Sequence, residues 1–447
     1  MTLPFCRRCL HWGIALSALV LNVSSAADTA VTGPADWPRW RGQAGAGAGG
    51  SQRFPHQWTE QDWAWTAGLP GQGHASPVVW RDRIYTASAD ETAVKRFVTC
   101  HAARDGRLLW QRGIPGPIQP HHVQNSSASG SVAVDEVGLY WLWATQEQLR
   151  AEAFSHDGES LWHIDLGPYP SEHGFGASAT VWRDRLIIPV QPDGPSAVVA
   201  LDTKTGRELW RLPREAAKTT YSTPLVIEPA GATQDGRAVV VLASMAHGLT
   251  CVDPATGLVL WERKCFPKRT VSSPLVAGSN VLCTCGEGGG DNTLVAVKLP
   301  TEISGDRPDG VVAGRPPVEP EIVYQLDRSV APYVPTPVCS GERLYLWGDR
   351  GVVTCVKAAD GAVLWRGRVG GVFSSSPIVV GGTVINVSAE GEVVVIADGD
   401  AFEVLGRTPL GEPCRATPAV AGGRMFFRSV GRLLALDAIR VDSSTPR

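Results

Sequence analysis

Few residues in this chain are of types that do chemistry, and they are scattered along it. His121 and His122 stand side by side in a Pro- and Gln-rich connection that runs from Gln119-Pro120 to Asn125. Two adjacent imidazoles on a loop can share a transition metal, but the sequence names no third ligand. His74, His173, Tyr221, Tyr333, Phe373 and Arg415 add imidazole, phenol, phenyl and guanidinium groups. Such groups suit an anionic or sugar-like ligand, or a peptide loop, provided the fold gathers them. The plainer alternative is that each caps a turn or covers the end of a sheet. Asp398-Gly-Asp400 and Asp291-Asn292 fit turns better than a calcium cage, which asks for roughly six to eight oxygens. Cys283-Thr-Cys285 sets two thiols on one strand face, a poor metal site without further ligands. In Cys6-Arg-Arg-Cys9-Leu-His11 the His falls one residue too far for haem attachment.

What could gather these residues is a repeat. One cycle recurs eight times between Ser76 and Asp437. Ala200-Leu-Asp202-Thr-Lys-Thr205-Gly206-Arg-Glu-Leu-Trp210 has a small residue, then Asp two later, Gly six later and Trp ten later. Cys251-Val-Asp253-Pro-Ala-Thr256-Gly257-Leu-Val-Leu-Trp261 keeps every offset. Cys100, Gly106 and Trp110 keep the Gly and Trp offsets, as do Cys355, Gly361 and Trp365, and Ala153, Gly158 and Trp162 run one residue shorter. Most copies open at a Ser- or Thr-Pro step (76, 223, 273, 336, 376 and 417), while copies two and three start at Ser129 and Ser178 without the Pro. A repeat of this length, made of short apolar runs and tight turns, predicts a β-propeller with four strands per cycle. The turn Gly supplies positive φ, and the Trp reads as a wedge between neighbouring blades.

The last copy stops at Gly431-Arg-Leu-Leu-Ala435-Leu-Asp437, one strand short. Its missing strand stands at the other end as Asp62-Trp63-Ala64-Trp65. The prediction is therefore an all-β, eight-bladed propeller of four-stranded antiparallel blades over residues 55–437, closed by an N-terminal strand so that no sheet edge stays open across the seam. Trp65, Trp110, Trp162, Trp210, Trp261 and Trp365 are its expected docking side chains. Copy five carries Leu299 to Pro320 before Glu321-Ile-Val-Tyr324, and copy seven has Val404 where Trp would stand. The first of these reads as a long surface loop.

Arg7 and Arg8 precede an apolar run, Ile14 to Leu21, with small residues Ser25 and Ala27 behind it. This predicts a signal peptide over residues 1–27 and a mature chain that is periplasmic or extracellular. Losing Arg7 and Arg8 moves the formal charge from −3 to −5, and no basic cluster points to nucleic acid. Residues 28–54, with the glycines of 42–50, read as a flexible lead-in, and 438–447 as a tail. Eight cysteines remain, and Cys100, Cys251 and Cys355 fill a slot that Ala takes in other copies. Buried structural thiols are the expectation there, while Cys265, Cys339 and Cys414 are open as bridge partners.

The frame at 200–210 and 251–261 resembles the tryptophan-docking motif of quinoprotein-like propellers, the pyrroloquinoline-quinone (PQQ) repeat family. Trp37-Pro-Arg-Trp40-Arg-Gly42 is similar to the lead-in of exported bacterial members. The family holds dehydrogenases that carry PQQ and calcium on the axis, and BamB-like members that keep the blades without the cofactor. The adjacent Cys-Cys pair of the methanol-dehydrogenase-like enzymes is absent, as are a calcium cluster and a Cys-x-x-Cys-His module. The resemblance thus implies a non-catalytic binding or interaction scaffold, in cell-envelope protein assembly, with no cofactor, other envelope proteins as partners, no membrane span after signal cleavage and a monomeric state. The alternatives are a PQQ- and calcium-dependent alcohol or sugar dehydrogenase, and a carbohydrate- or small-molecule-binding propeller. In a propeller the side chains at 74, 121, 122, 173, 221, 333, 373 and 415 would ring the mouth of the axial channel, a candidate site for a ligand or a partner.

Overall fold

The computed structural model describes residues 34–228, 238–288, 290–300 and 319–439. The expected signal peptide, most of the 299–320 insertion and the tail past 439 lie outside the described residues. The described chain forms eight four-stranded antiparallel sheets. Blade 1 is Val78–Trp80, Arg83–Asp90, Lys95–Ala102 and Leu108–Pro115, innermost strand first. Blades 2 to 7 follow at 133–165, 180–216, 225–263, 275–326, 338–368 and 378–409. Blade 8 takes Ala419–Ala421, Arg424–Arg428 and Arg432–Asp437 from the chain's end and Trp63–Gly68 from its start. Trp65 pairs with Ala435 and Gly68 with Arg432, so the ring closes as the sequence predicts.

Strand composition follows position in the ring. Second strands such as Val239–Ser244 and Asn280–Cys285 are buried at every residue, because neighbouring blades cover both faces. Outer strands are more open: no residue of Leu108–Pro115 is fully buried, and Ser160–Asp165 buries only Trp162. The core accordingly lies between blades: one cluster joins Tyr140, Leu142 and Ala151 of blade 2 to Leu186, Ile188 and Val199 of blade 3.

Six of the eight seams repeat one device; at the seam of blades 4 and 5 Trp261 is buried, but among the described residues its indole N–H has no partner. The Trp162 indole donates to the Thr203 carbonyl of the next blade at 2.9 Å, and Trp65, Trp110, Trp210 and Trp365 do the same to Ala103, His156, Pro254 and Gly399. Tyr324 reaches Ala358 through its hydroxyl at 3.1 Å. The ring lies flat on the turn glycine: a Cβ on Gly206 would stand 2.8 Å from Trp162, and one on Gly106 would stand 2.5 Å from Trp65. That glycine therefore answers to the preceding blade as well as to its own φ of +71° at Gly206. Across the ladder each ring faces the small slot, as in Cys100 with Trp110 and Ala200 with Trp210, and a bulge follows at once. A bulge re-aims side chains, and here it accompanies the turn of the ring toward the next blade. All eight cysteines among the described residues are free thiols.

Val404 of blade 7 breaks the pattern for a reason. Its neighbour, blade 8, has no turn joining its third and outer strands, since these come from opposite ends of the chain, so a Trp there would find no glycine to lie on. The lead-in covers that place instead. Trp58 N–H donates to Thr408 Oγ1 at 3.1 Å, and its ring packs on Trp63 and Phe427.

The lead-in is the main departure from the sequence reading. Over residues 34–54 it is packed structure, and its glycines mark close approach. Trp37, at 1% exposure, pairs with Val79 of blade 1. Pro38 accepts from Val134 of blade 2, Gly49 donates to Val379 of blade 7, and Pro34 accepts from Gly422 of blade 8. A Cβ on Gly45 or Gly47 would stand 2.8 or 2.9 Å from the guanidinium of Arg39 or Arg41. The segment thus crosses the ring from side to side.

Candidate functional site

The start of each innermost strand faces the axis, and there the Ser and Thr hydroxyls link the blades. The backbone N–H of Ser76 donates to Ser131 Oγ at 2.9 Å, and that of Ser131 to Ser178 Oγ at 3.0 Å. Thr223 donates to Ser273, Ser273 to Thr336, Thr336 to Ser376, Ser376 to Thr417, and Thr417 back to Ser76, at 2.8 to 3.0 Å. The circle has one open link, between blades 3 and 4. Arg39 bridges it, donating to Thr180 Oγ1 at 3.1 Å and to the Pro224 carbonyl at 3.2 Å. Arg41 reaches blade 6, donating to the Thr336 and Pro337 carbonyls at 2.8 and 2.7 Å. Both arginines are buried, which pulls their pKa values down to about 10 and about 9, with Arg39 adding to the effect on Arg41. The ring residue of copy two is Ser131, two residues past the Ser129 read from the sequence.

Around this circle lies a cavity of about 920 Å³. Trp40 of the lead-in and all eight ring hydroxyl residues line it. Of the sequence-predicted residues, His74, His122, His173, Tyr221, Tyr333 and Arg415 are brought together on its wall. Two are not. Phe373 is buried at 1% exposure, edge-on to Trp347 at 5.3 Å in the seam between blades 6 and 7. His121 turns away from His122, its Nε2 2.7 Å from Glu91 Oε1, whereas the His122 ring lies 5.2 Å from that of His173. The adjacent imidazoles therefore do not converge on one metal, and among the described residues no group of three or more His, Cys, Asp or Glu could hold one.

Sequence reasoning missed the arginines of the wall: Arg269, Arg328, Arg350 and Arg366 join Arg415 there. The two wall carboxylates are already committed. Asp349 accepts the Tyr333 and Val334 N–H groups at 2.7 and 2.9 Å, and Glu287 holds Lys268 at 2.6 Å. Burial, helped by Arg428 and Arg415, pushes the His74 pKa down to about 3, so its imidazole is neutral. Burial also raises the phenols of Tyr221 and Tyr333, the latter to about 12. With a neutral His74 imidazole, neutral phenols and committed acids, the wall offers hydrogen bonds and positive charge.

A quinone held by calcium does not fit this donor set. The oxygens of Asp349 and Glu287 are engaged as above, and of the other candidates Asn292 keeps one oxygen free, where calcium asks for roughly six to eight. Asp398 accepts from Ser340, Arg343 and Tyr345, Asp400 pairs with Arg343, and Asn292 donates to the Ala331 carbonyl.

Comparison with known proteins agrees with this architecture. A family model described as outer membrane protein assembly factor BamB matches residues 147–228, 196–301 and 306–404. BamB of Burkholderia pseudomallei is 22% identical over 363 residues, spanning 75% of this chain and 87% of its own. The solved BamB of Moraxella catarrhalis superposes with a TM-score of 0.58 at 14% identity, over 86% of this chain and 99% of that one. The quinohemoprotein alcohol dehydrogenase of Comamonas testosteroni gives 0.63 at 13% identity, over 92% and 82%. At such identities the two structures speak for the fold alone. The family match spans more than half the sequence, and the chain belongs to the PQQ-like propeller family described as outer membrane protein assembly factor BamB.

Proposed function

We propose that this chain is an exported, non-catalytic scaffold that holds segments of other envelope proteins while they assemble. Family membership supports the envelope setting, and the observation that carries the scaffold reading is the ring's rim. Leu108, Leu161, Val323, the pair Val363 and Leu364, and Val404 stand 37 to 54% exposed on the outer strands of blades 1, 2, 5, 6 and 7. Single exposed apolar residues are ordinary, but recurrence at the first or second position of the outer strand in five blades makes a band. Each outer strand also leaves one row of backbone N–H and C=O groups without a ladder partner, to which an extended segment can add as a fifth strand. In this reading the docking indoles keep the ring rigid while its rim binds, and the chain works as a monomer without PQQ or calcium. Among the described residues no helix is long and apolar enough to cross a membrane.

The test is a photo-crosslinking residue placed at Val363, or at Leu108, in the full chain within living cells. Adducts with outer-membrane β-barrel proteins or their assembly machinery are expected. Adducts confined to proteins outside the envelope, or none from either position, would remove the reading.

A further inference from the structure

The axial cavity holds positive charge that its own acids do not balance, and hydrogen-bonding atoms that nothing engages. We propose that it binds a small anionic sugar, a hydroxylated ring carrying one carboxylate or phosphate. The site is independent of the rim and goes beyond the scaffold reading.

The anion is assigned by the arginines. Arg269 and Arg328 hold carboxylates only loosely, 3.8 Å from Glu172 and 4.0 Å from Asp291. Among the described residues Arg350 and Arg366 have no carboxylate partner, and Arg415 reaches only Ser374 Oγ, at 3.0 Å. Guanidinium groups left open toward a cavity match carboxylate and phosphate oxygens in charge and in planar geometry. The buried cations Arg39 and Arg41 lie beside Trp40 of the lining and add to the positive field without being neutralised.

The hydroxylated ring is assigned by the remaining polar atoms. In seven of the eight hydroxyl positions the oxygen accepts a backbone N–H from the preceding blade. Its own proton is left to donate, and among the described residues nothing takes it, so the circle presents donors toward the axis. Two buried atoms await the opposite partner: His74 Nδ1 and Asn292 Oδ1 have none. A neutral imidazole nitrogen and an amide oxygen can both accept from a ligand hydroxyl, which a bare polyanion does not supply. Trp40, Tyr221 and Tyr333 contribute flat surfaces against which the C–H face of a sugar ring packs. The volume, about 920 Å³, is in the range of small-molecule sites.

Titration calorimetry on the full chain tests this with D-glucuronate, glucose 6-phosphate, glucose and citrate as probes. Saturable binding is expected for glucuronate or glucose 6-phosphate, the better of the two naming the anion, with glucose and citrate at least about tenfold weaker. Arg415→Gln and Arg350→Gln should each weaken the favoured probe about tenfold without lowering the melting temperature. Asn292→Ala should do the same while leaving the arginines in place. Absence of saturable heat with both anionic sugars overturns the proposal. Glucose binding as tightly would remove the anion from it, and citrate binding as tightly would remove the sugar. Binding indifferent to Arg350, Arg415 and Asn292 would place the ligand elsewhere. None of these results bears on crosslinking at the rim, so the two readings fail separately.

Discussion

The seams between blades and the axis they surround are built in opposite ways. A seam is one sentence written many times: ring, turn glycine, small slot, bulge. The axis is crossed once, by a lead-in whose backbone touches blades 1, 2, 7 and 8 and whose Arg39 and Arg41 reach blades 3, 4 and 6. At the seams, stability comes from buried aromatic area and repeats from blade to blade. At the axis a repeated circle of Ser and Thr hydroxyls is joined by charged donors on backbone carbonyls, and each of those arginine contacts is unique. Repetition leaves a trace in a single sequence, whereas a unique contact between distant segments leaves almost none.

The largest expected effect lies at a seam. Trp162→Ala removes a ring buried against Gly206 and a hydrogen bond to Thr203, and should cost about 3–5 kcal/mol in denaturant unfolding. A smaller loss would mean that the rings cover seams already held by their apolar clusters. At the axis, Arg41→Met abandons the carbonyls of Thr336 and Pro337. A destabilisation of about 2–4 kcal/mol is expected, somewhat reduced because an unpaired buried charge is also relieved. An unchanged midpoint would show that the lead-in rests on the ring without bracing it. Gly206→Ala should cost about 1–3 kcal/mol from ring contact and positive φ together. In the Trp162→Ala background the contact vanishes, so the double variant should lose less than the sum.

His74, between the two regions, gives a pH signature. Its folded pKa of about 3 lies below the ordinary value of 6.5, so the unfolded chain binds the proton more readily. The corresponding stability is whole above about pH 6.5 and is lost progressively as pH falls toward about 3. Buried His101, lowered to about 4 by burial, has the same sign. The fall in melting temperature between pH 7 and pH 4.5 should therefore shrink in His74→Gln, and an equal fall in both proteins would contradict the burial. The smallest stability effect is expected for Arg415→Gln at the open wall, within about 0.5 kcal/mol.

Much of the fold was legible. The small-x-Asp-x-x-Thr-Gly-x-x-x-Trp frame gave the blades, and the strand missing after Asp437 gave the closure through Trp65. The Ser- and Thr-Pro steps were visible as turns, but their role was not, because each hydroxyl's partner sits in the adjacent copy, 40 to 63 residues away in blades such as those of Ser273 and Thr336. Of the candidate site, the residues preceding inner strands were found from the repeat, except that Phe373 turned into packing and His121 into a hydrogen bond with Glu91. Arg269, Arg328, Arg350 and Arg366 were missed, since isolated arginines in connections or on an outer strand look like solvated surface. The glycines of 42–50 were read as slack when they are clearance for Trp37, Arg39 and Arg41. The Trp and Arg residues just ahead of those glycines were the signal that the segment packs.

Hydrogen–deuterium exchange of the lead-in bears most directly on the once-built axis. Gly47 donates to Arg41 and Gly49 to Val379, so their amides should exchange as slowly as those of the innermost strands. Exchange of both within seconds, beside protected blades, would contradict a braced axis and with it the floor of the cavity.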